Sequence, residues 1–228
     1  YKDMRNVLEY KDGVSFFGSS SGWENKVEMG KGRSAGIEFM AQKTAGKTTG
    51  WLSYTLSKSD RKFTKGGINN GEWFPYKYDR RHSINLTINH KFSDRIDIGA
   101  SWVFYTGGTS TIPEEKTTVI RPHNGANNGF LWYGTYDNTN SSPTIGDVSY
   151  IEHRNNFRLP ASHRLNLGVN FNKKTKHGMR TWNISLYNAY NAMNPAWVYR
   201  GHNKQGLSVI KKYTLLPLIP SFTYTYKF

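Results

Sequence analysis

The sequence predicts an all-β chain in which amphipathic antiparallel strands form part of a membrane-crossing barrel. Three observations predict it. Apolar side chains recur with a period of two in segment after segment, aromatic residues and glycines are both abundant, and long connections alternate with short ones. The 228 residues include 15 Tyr, 12 Phe, 7 Trp and 22 Gly, a composition that suits pleated strands and interfacial aromatic belts better than helices. No stretch of 18 consecutive apolar residues occurs, so a spanning helix is excluded. Mean hydropathy is negative, which ordinarily marks a soluble protein. Strands that alternate between lipid and a wet interior also average to low hydropathy, so that inference does not hold for barrels.

Taken in order, the elements are these. A weak first strand covers Tyr1 to Glu9. Next, Ala35, Ile37, Phe39 and Ala41 alternate with Gly36, Glu38, Met40 and Gln42, and Leu52, Tyr54 and Leu56 alternate with Ser53, Thr55 and Ser57. Ile84, Leu86 and Ile88 then interleave with Ser83, Asn85, Thr87 and Asn89, followed by Ile96, Ile98, Ala100, Trp102 and Phe104 with Asp97, Gly99 and Ser101. After a gap, Leu165, Leu167, Val169 and Phe171 alternate with Arg164, Asn166, Gly168 and Asn170, and Trp182, Ile184 and Leu186 with Asn183, Ser185 and Tyr187. The last strand is the clearest: Phe222, Tyr224, Tyr226 and Phe228 share one face, Ser221, Thr223, Thr225 and Lys227 the other. This makes about eight strands, most of the roughly 9–11 residues that a tilted strand needs to cross a bilayer. No segment shows helical periodicity over ten or more residues.

The connections run long, short, long, short, long, short, long. The short ones fall at 44–48, 92–95 and 172–178, the long ones at 11–22, 64–80, 107–161 and 192–215. Segregating long loops to one end and tight turns to the other is the topology of outer-membrane barrels. The loop 107–161 is rich in Gly, Asn, Thr and Pro, and loops of that length are usually functional or disordered. The chain opens mid-pattern without an initiator Met or signal peptide, so it is expected to be a segment of a longer protein.

At this point the residues carry a family resemblance. Gly30-Lys31-Gly32-Arg33-Ser34-Ala35-Gly36-Ile37-Glu38, Gly50-Trp51-Leu52-Ser53-Tyr54-Thr55-Leu56-Ser57 and Phe74-Pro75-Tyr76-Lys77-Tyr78-Asp79-Arg80-Arg81-His82 resemble the C-terminal barrel of TonB-dependent receptors. Tyr105-Thr106-Gly107-Gly108, Tyr187-Asn188-Ala189-Tyr190-Asn191 and the stretch from Leu216-Pro217 to Phe228 continue the likeness in the same order. The resemblance implies a closed barrel of 22 strands around an N-terminal plug, with this chain supplying about the last eight. It also implies energy delivered by TonB through a box upstream of the plug; neither plug nor box lies in this chain. Phe222, Tyr224, Tyr226 and the terminal Phe228 resemble the signal read by the barrel-assembly machinery.

Candidate sites are few. Asp79-Arg80-Arg81-His82 is the densest charged group; it would either contact an anionic ligand or form a rim network in which Asp79 pairs with an Arg. Trp73, Phe74 and Tyr76, and then Phe130, Trp132, Tyr133 and Tyr136, lie in long loops, where large aromatics can stack on a sugar, a corrinoid or a siderophore. The competing expectation is loop-on-loop packing or contact with a surface lipoprotein. Trp73, Tyr76, Arg80, Arg81, Trp132, Tyr133 and Tyr136 are therefore the ligand-binding candidates. The seven histidines lack metal-ligand spacing, so no metal is expected. Gly30-Lys31-Gly32 is not followed by a helix and is not read as a phosphate loop. The lone Glu38 is read as structural, the three glycosylation-like triplets starting at Asn85, Asn140 and Asn183 as idle, and no catalytic set or cofactor is expected.

A formal charge of +15 invites a nucleic-acid reading. The basic residues are spread over loops, turns and strands, and outer-membrane lipopolysaccharide phosphates are an ordinary partner for them. The function expected is uptake of a scarce nutrient (siderophore, corrinoid, glycan or peptide) across the bacterial outer membrane, with the loops capturing the small molecule. The alternative is a complete eight-stranded barrel serving as adhesin or anchor; the small, polar inward residues fill a narrow barrel poorly.

Overall fold

The structure, a computed structural model, describes residues 1–11, 22–121 and 144–228. Eight strands form one antiparallel meander: β1 (Lys2–Tyr10), β2 (Val27–Lys43), β3 (Thr48–Lys62), β4 (His82–Lys91), β5 (Ile96–Tyr105), β6 (Ser162–Thr175), β7 (Gly178–Tyr187) and β8 (Ile219–Lys227). Each pairs antiparallel with the next, through short turns at one end of the sheet and long connections at the other. β1 and β8 each have one neighbour among the described residues, so the sheet is open; the closed 22-stranded barrel, of which the sequence predicts these eight strands to be a part, is not formed by the described residues.

The period-two pattern becomes two chemically distinct faces. Rows of directly opposed residues on one face read Leu165–Trp102–Leu86–Leu52–Ala41, Phe222–Ile184–Val169–Ile98 and Phe104–Ile84–Tyr54–Phe39. The other face reads Asn166–Ser101–Thr87–Trp51–Gln42 and Thr223–Asn183–Asn170–Asp97. On that polar face, side chains satisfy one another across strands. Asp97 accepts from the amides of Asn170 and Asn172, both at 2.7 Å, while Asn183 donates to Asn170 and Thr181 to Asn172. This ladder corrects the short connection expected at 172–178. Asn172 is held in register, β6 runs on to Thr175, and only residues 176 and 177 turn.

β2 and β3, at 17 and 15 residues, run well past the lengths expected from the sequence and stand proud of the sheet at the loop end. The loops there are not featureless. Glu115–Arg121 pairs with Thr144–Tyr150, Pro195–His202 with Ser208–Thr214, Thr109–Ser110 with Phe157–Arg158, and Phe74–Pro75 adds to the end of β3.

Among the described residues the buried hydrophobics are Phe63, Ile68, Phe74 and Ile112, all in connections. Val7 packs on the first three. It reaches them through a register shift at Asn6, whose φ of 57° is tolerable for Asn. The strands' own apolar face is uncovered: Ile37, Phe39, Leu56, Ile184 and Phe222 are all exposed, Ile37 at 73% and Phe222 at 65%. The chain exposes 16918 Å², against about 10,600 Å² for a globular protein of its mass. Among the described residues there is no core that buries this face.

Candidate functional site

Two regions concentrate chemistry: the loop end of the sheet, and the apolar face. At the loop end the connection 63–81 returns along β3. Asp79, only 1% exposed, accepts the Ser59 amide at 2.7 Å, Nε of Arg81 at 3.0 Å and a guanidinium nitrogen of Arg158 at 2.6 Å. Arg158 also donates to the carbonyls of Asp79 and Gly107. One carboxylate thus ties together β3, the loop before β4 and both ends of the connection between β5 and β6. Gly107 must be glycine, because a Cβ there would strike the Leu159 carbonyl. Asn69 and Arg154 exchange side-chain and backbone hydrogen bonds nearby, and Asn155 donates to the Pro75 carbonyl at 2.8 Å.

This geometry disperses the sequence-predicted ligand residues. Arg81 is committed to Asp79, so the rim network is what the structure forms at Asp79. Arg80 lies over the Tyr105 ring at 3.9 Å, on the polar side of β5. Tyr76 carries Arg61 at 4.1 Å and meets Tyr78 edge-on. Trp73 lies instead under Arg33, whose own partner is Asp60 at the edge of the apolar face. Tyr76 and Arg80 therefore belong to the polar side and Trp73 to the opposite one, an alternation the loop reading did not resolve. Trp132, Tyr133 and Tyr136, with Phe130, lie outside the described residues. Glu38 sits on the polar face in register with Thr55.

An open cleft of about 720 Å³ is lined by Lys11, Glu28, Thr64, Lys65, Gly67 and Ile68. Burial pushes the Glu28 carboxyl up, but hydrogen bonds from the Thr64 hydroxyl and amide and from the Ile68 amide, aided by Lys11, outweigh it and hold its pKa below the ordinary value. Glu28 lies nine positions beyond the last apolar residue row on β2, at the loop end. Glu114, Glu152 and His153 place three donor atoms within 4.8 Å of one another. They are the group among the described residues that could share a cation, and the fold alone unites them.

A second buried node closes the β7–β8 connection. Asn188, 1% exposed, donates to the carbonyls of Ala192 and Leu216 and accepts the Ala192 amide at 2.8 Å. Asn188 and Asn191 both have positive φ, 54° and 53°, which explains asparagine at both positions of the Tyr187–Asn191 segment.

The apolar face carries two aromatic bands. Towards the loops lie Tyr54, bonded to His82 at 2.9 Å, and Trp102, which donates to the Tyr190 hydroxyl at 3.1 Å; that hydroxyl also meets His163 at 2.8 Å. Towards the turns Trp182 stacks on Phe222 and Tyr224, with ring centroids 5.0 and 4.4 Å apart, beside Tyr226 and the fully exposed Phe228. Ile88, Ile98, Leu86, Leu167 and Val169 lie between. The eight residue steps from His163 to Phe171 on β6 cover about 26 Å along the strand.

No helix among the described residues is long and apolar enough to cross a membrane, a test that does not apply to strands. The class of protein defined by the fold is an antiparallel all-β sheet, amphipathic across its two faces. Beyond that class, no protein-family model matches the chain, and neither a curated protein nor a solved structure is significantly similar to it.

Proposed function

We propose that the eight strands are part of a β-barrel in the bacterial outer membrane, the C-terminal strands of a TonB-dependent receptor that takes up a scarce small nutrient. The observation that carries the reading is the exposed apolar face, bounded by aromatic bands, on a sheet whose buried core lies entirely in its loops. Water would penalise such a face by about 25 cal/mol per Å² of apolar surface, whereas acyl chains would not. At a strand tilt near 40° the distance between the bands corresponds to a height of about 20 Å, close to the apolar belt of a membrane barrel. Aromatic rings with polar tips, such as Tyr54, Trp102 and Tyr190, suit the water–lipid boundary. In this reading the free edges of β1 and β8 are completed by further strands of the barrel, because an unpaired edge is untenable in lipid. A self-contained eight-stranded cylinder gains no support from an unpaired β1 and β8.

The polar face then lines the lumen and the loop end faces outward. TonB and its plug, the barrel-assembly machinery acting on Phe222 to Phe228, and a surface lipoprotein are the partners of this reading. Single-tryptophan variants in vesicles containing brominated lipid test it. Trp102 and Trp182 should be quenched strongly and Trp51, on the polar face, weakly; equal quenching, or failure to insert, refutes the barrel. Receptor function is tested by growing a deletion strain on single iron, corrinoid or glycan sources: a defect on one source supports it, and growth equal to wild type on all of them counts against it.

A further inference from the structure

The apolar face does not end where its hydrocarbon rows end. Beyond the Leu56–Ile37 pair the same side of β3, β2 and β1 becomes cationic. Lys58 opposes Ala35, Arg33 lies between Asp3 and Asp60, and Arg5, Lys31 and Lys62 form a single row across three strands in direct register. Directly opposed like charges disfavour a sheet, and opposed partners have Cβ atoms only about 5 Å apart. Asp3, on the same side and directly opposed to Arg33, is the acid nearest the row and makes no ion pair with it among the described residues; the other acids nearby are engaged elsewhere. Asp60 is bound to Arg33 at 3.1 Å and to Lys58 at 3.4 Å. Glu28 lies on the other side of the sheet, where it accepts from Thr64 and Ile68. Arg5 and Lys31 are exposed, and among the described residues no acid is paired with Arg5, Lys31 or Lys62. Trp73, tucked under Arg33, supplies a flat apolar edge beside the cations.

We propose that this lipid-side surface of β1–β3 binds the phosphate groups of lipid headgroups in the outward-facing leaflet. The inference rests on the barrel reading, which sets the height of the patch. Lys58 is two residues beyond Leu56 and Lys62 is six, so at a strand tilt near 40° the cations begin about 5 Å and end about 15 Å above the last apolar row. That interval starts within the headgroup layer over the acyl chains and extends just outside it. Three guanidinium or ammonium groups in a row on adjacent strands match a headgroup carrying more than one phosphate, and the bound phosphates would remove the repulsion along the row. Arg33 and Lys58, held by Asp60, flank the site on its acyl side.

The test uses the protein extracted from its native membrane in mild detergent, and measures lipid-bound phosphorus per protein after gel filtration. It is repeated with vesicles of phosphorylated lipid A and of the same lipid with its phosphates removed. A cation near an anionic surface is worth about fivefold in binding, so the triple variant Arg5→Gln, Lys31→Gln, Lys62→Gln should bind phosphorylated lipid about 100-fold more weakly. Lys31→Arg with Lys62→Arg should bind like wild type. Full binding by the triple glutamine variant, equal binding of the dephosphorylated lipid, or displacement of bound lipid by millimolar inorganic phosphate would each overturn the proposal. Protein that inserts and shows tryptophan quenching but no charge-dependent lipid loses this inference alone. Protein that does not insert loses the barrel reading too.

Discussion

Replacing Asp79 by Ala removes the one carboxylate on which the loop end converges. The loss has two parts. The Ser59 amide, held at 2.7 Å in a buried site, is left without an acceptor, at about 1–3 kcal/mol. The ion pairs to Arg81 and Arg158 are also lost, but these side chains are 36% and 34% exposed and regain water, so each contributes only about 0.5 kcal/mol. Arg158 keeps its bond to the Gly107 carbonyl, which limits the damage. The total is about 2–4 kcal/mol, a roughly 30- to 900-fold rise in the open population of the loop end. Because β3–β5 are joined by their own ladders, the opening should be local. Native-state trypsin cleavage after Arg81 and Arg158, at protease levels where cleavage follows the open population, should accelerate by that factor while global unfolding shifts little. Asp79→Asn keeps an oxygen for Ser59 but turns an amide donor towards two guanidinium groups, so it should behave nearly as badly. Arg81→Gln alone should cost less than about 1 kcal/mol. A cleavage rate within threefold of wild type in Asp79→Ala would refute the assignment of Asp79 as the node.

Three further outcomes follow from particular contacts. Trp182→Ala removes stacking on Phe222 and Tyr224; about 1–2 kcal/mol should be lost on urea unfolding in lipid vesicles, and β8 should exchange its amides before the other strands do. Gly107→Ala forces a methyl into the Leu159 carbonyl, so trypsin should find Arg158 as readily as in the Asp79 variant. The Glu28 carboxyl, with its pKa held below the usual 4.5, stabilises the Thr64–Ile68 turn fully above that value, and the contribution disappears as pH falls through the lower folded-state value. Exchange protection of the Thr64 and Ile68 amides should fall in that window in wild type and be pH-independent in Glu28→Gln.

Much of the sheet is legible in the sequence because a single variable, residue parity, encodes it. Once Phe222, Tyr224 and Tyr226 are assigned to one side, their partners Ile184, Trp182 and Arg180 follow from register alone. The loop end resists the same reading. Asp79 is paired with Arg158, and Asn69 with Arg154, across separations of 79 and 85 residues, and no local periodicity announces such pairs. The extensions of β2 and β3 were also missed, because beyond Leu56 and Ile37 polar residues occupy both faces and the alternation that marks a strand disappears. Trp73 illustrates the cost: placed in a loop by composition, it belongs to a short strand-like return along β3 that turns it away from Tyr76 and Arg80.

The two faces of the sheet differ in how completely the chain serves its own side chains, and this difference drives the functional reading. On the polar face Asp97, Asn170, Asn172, Asn183 and Thr181 close a hydrogen-bonded circuit that needs nothing from outside. On the apolar face nothing among the described residues plays the corresponding role. The other ladders are two-stranded ribbons, too small to cover eight strands as the second layer of a sandwich would. The buried cluster of Phe63, Ile68 and Phe74 packs against Val7 at the loop end instead. A face with continuous hydrocarbon rows, hydrogen-bonded aromatic groups at one margin and cations beyond it needs a layered partner of matching order: apolar, then interfacial, then anionic. A second protein layer could meet the first requirement; an outer leaflet meets all three.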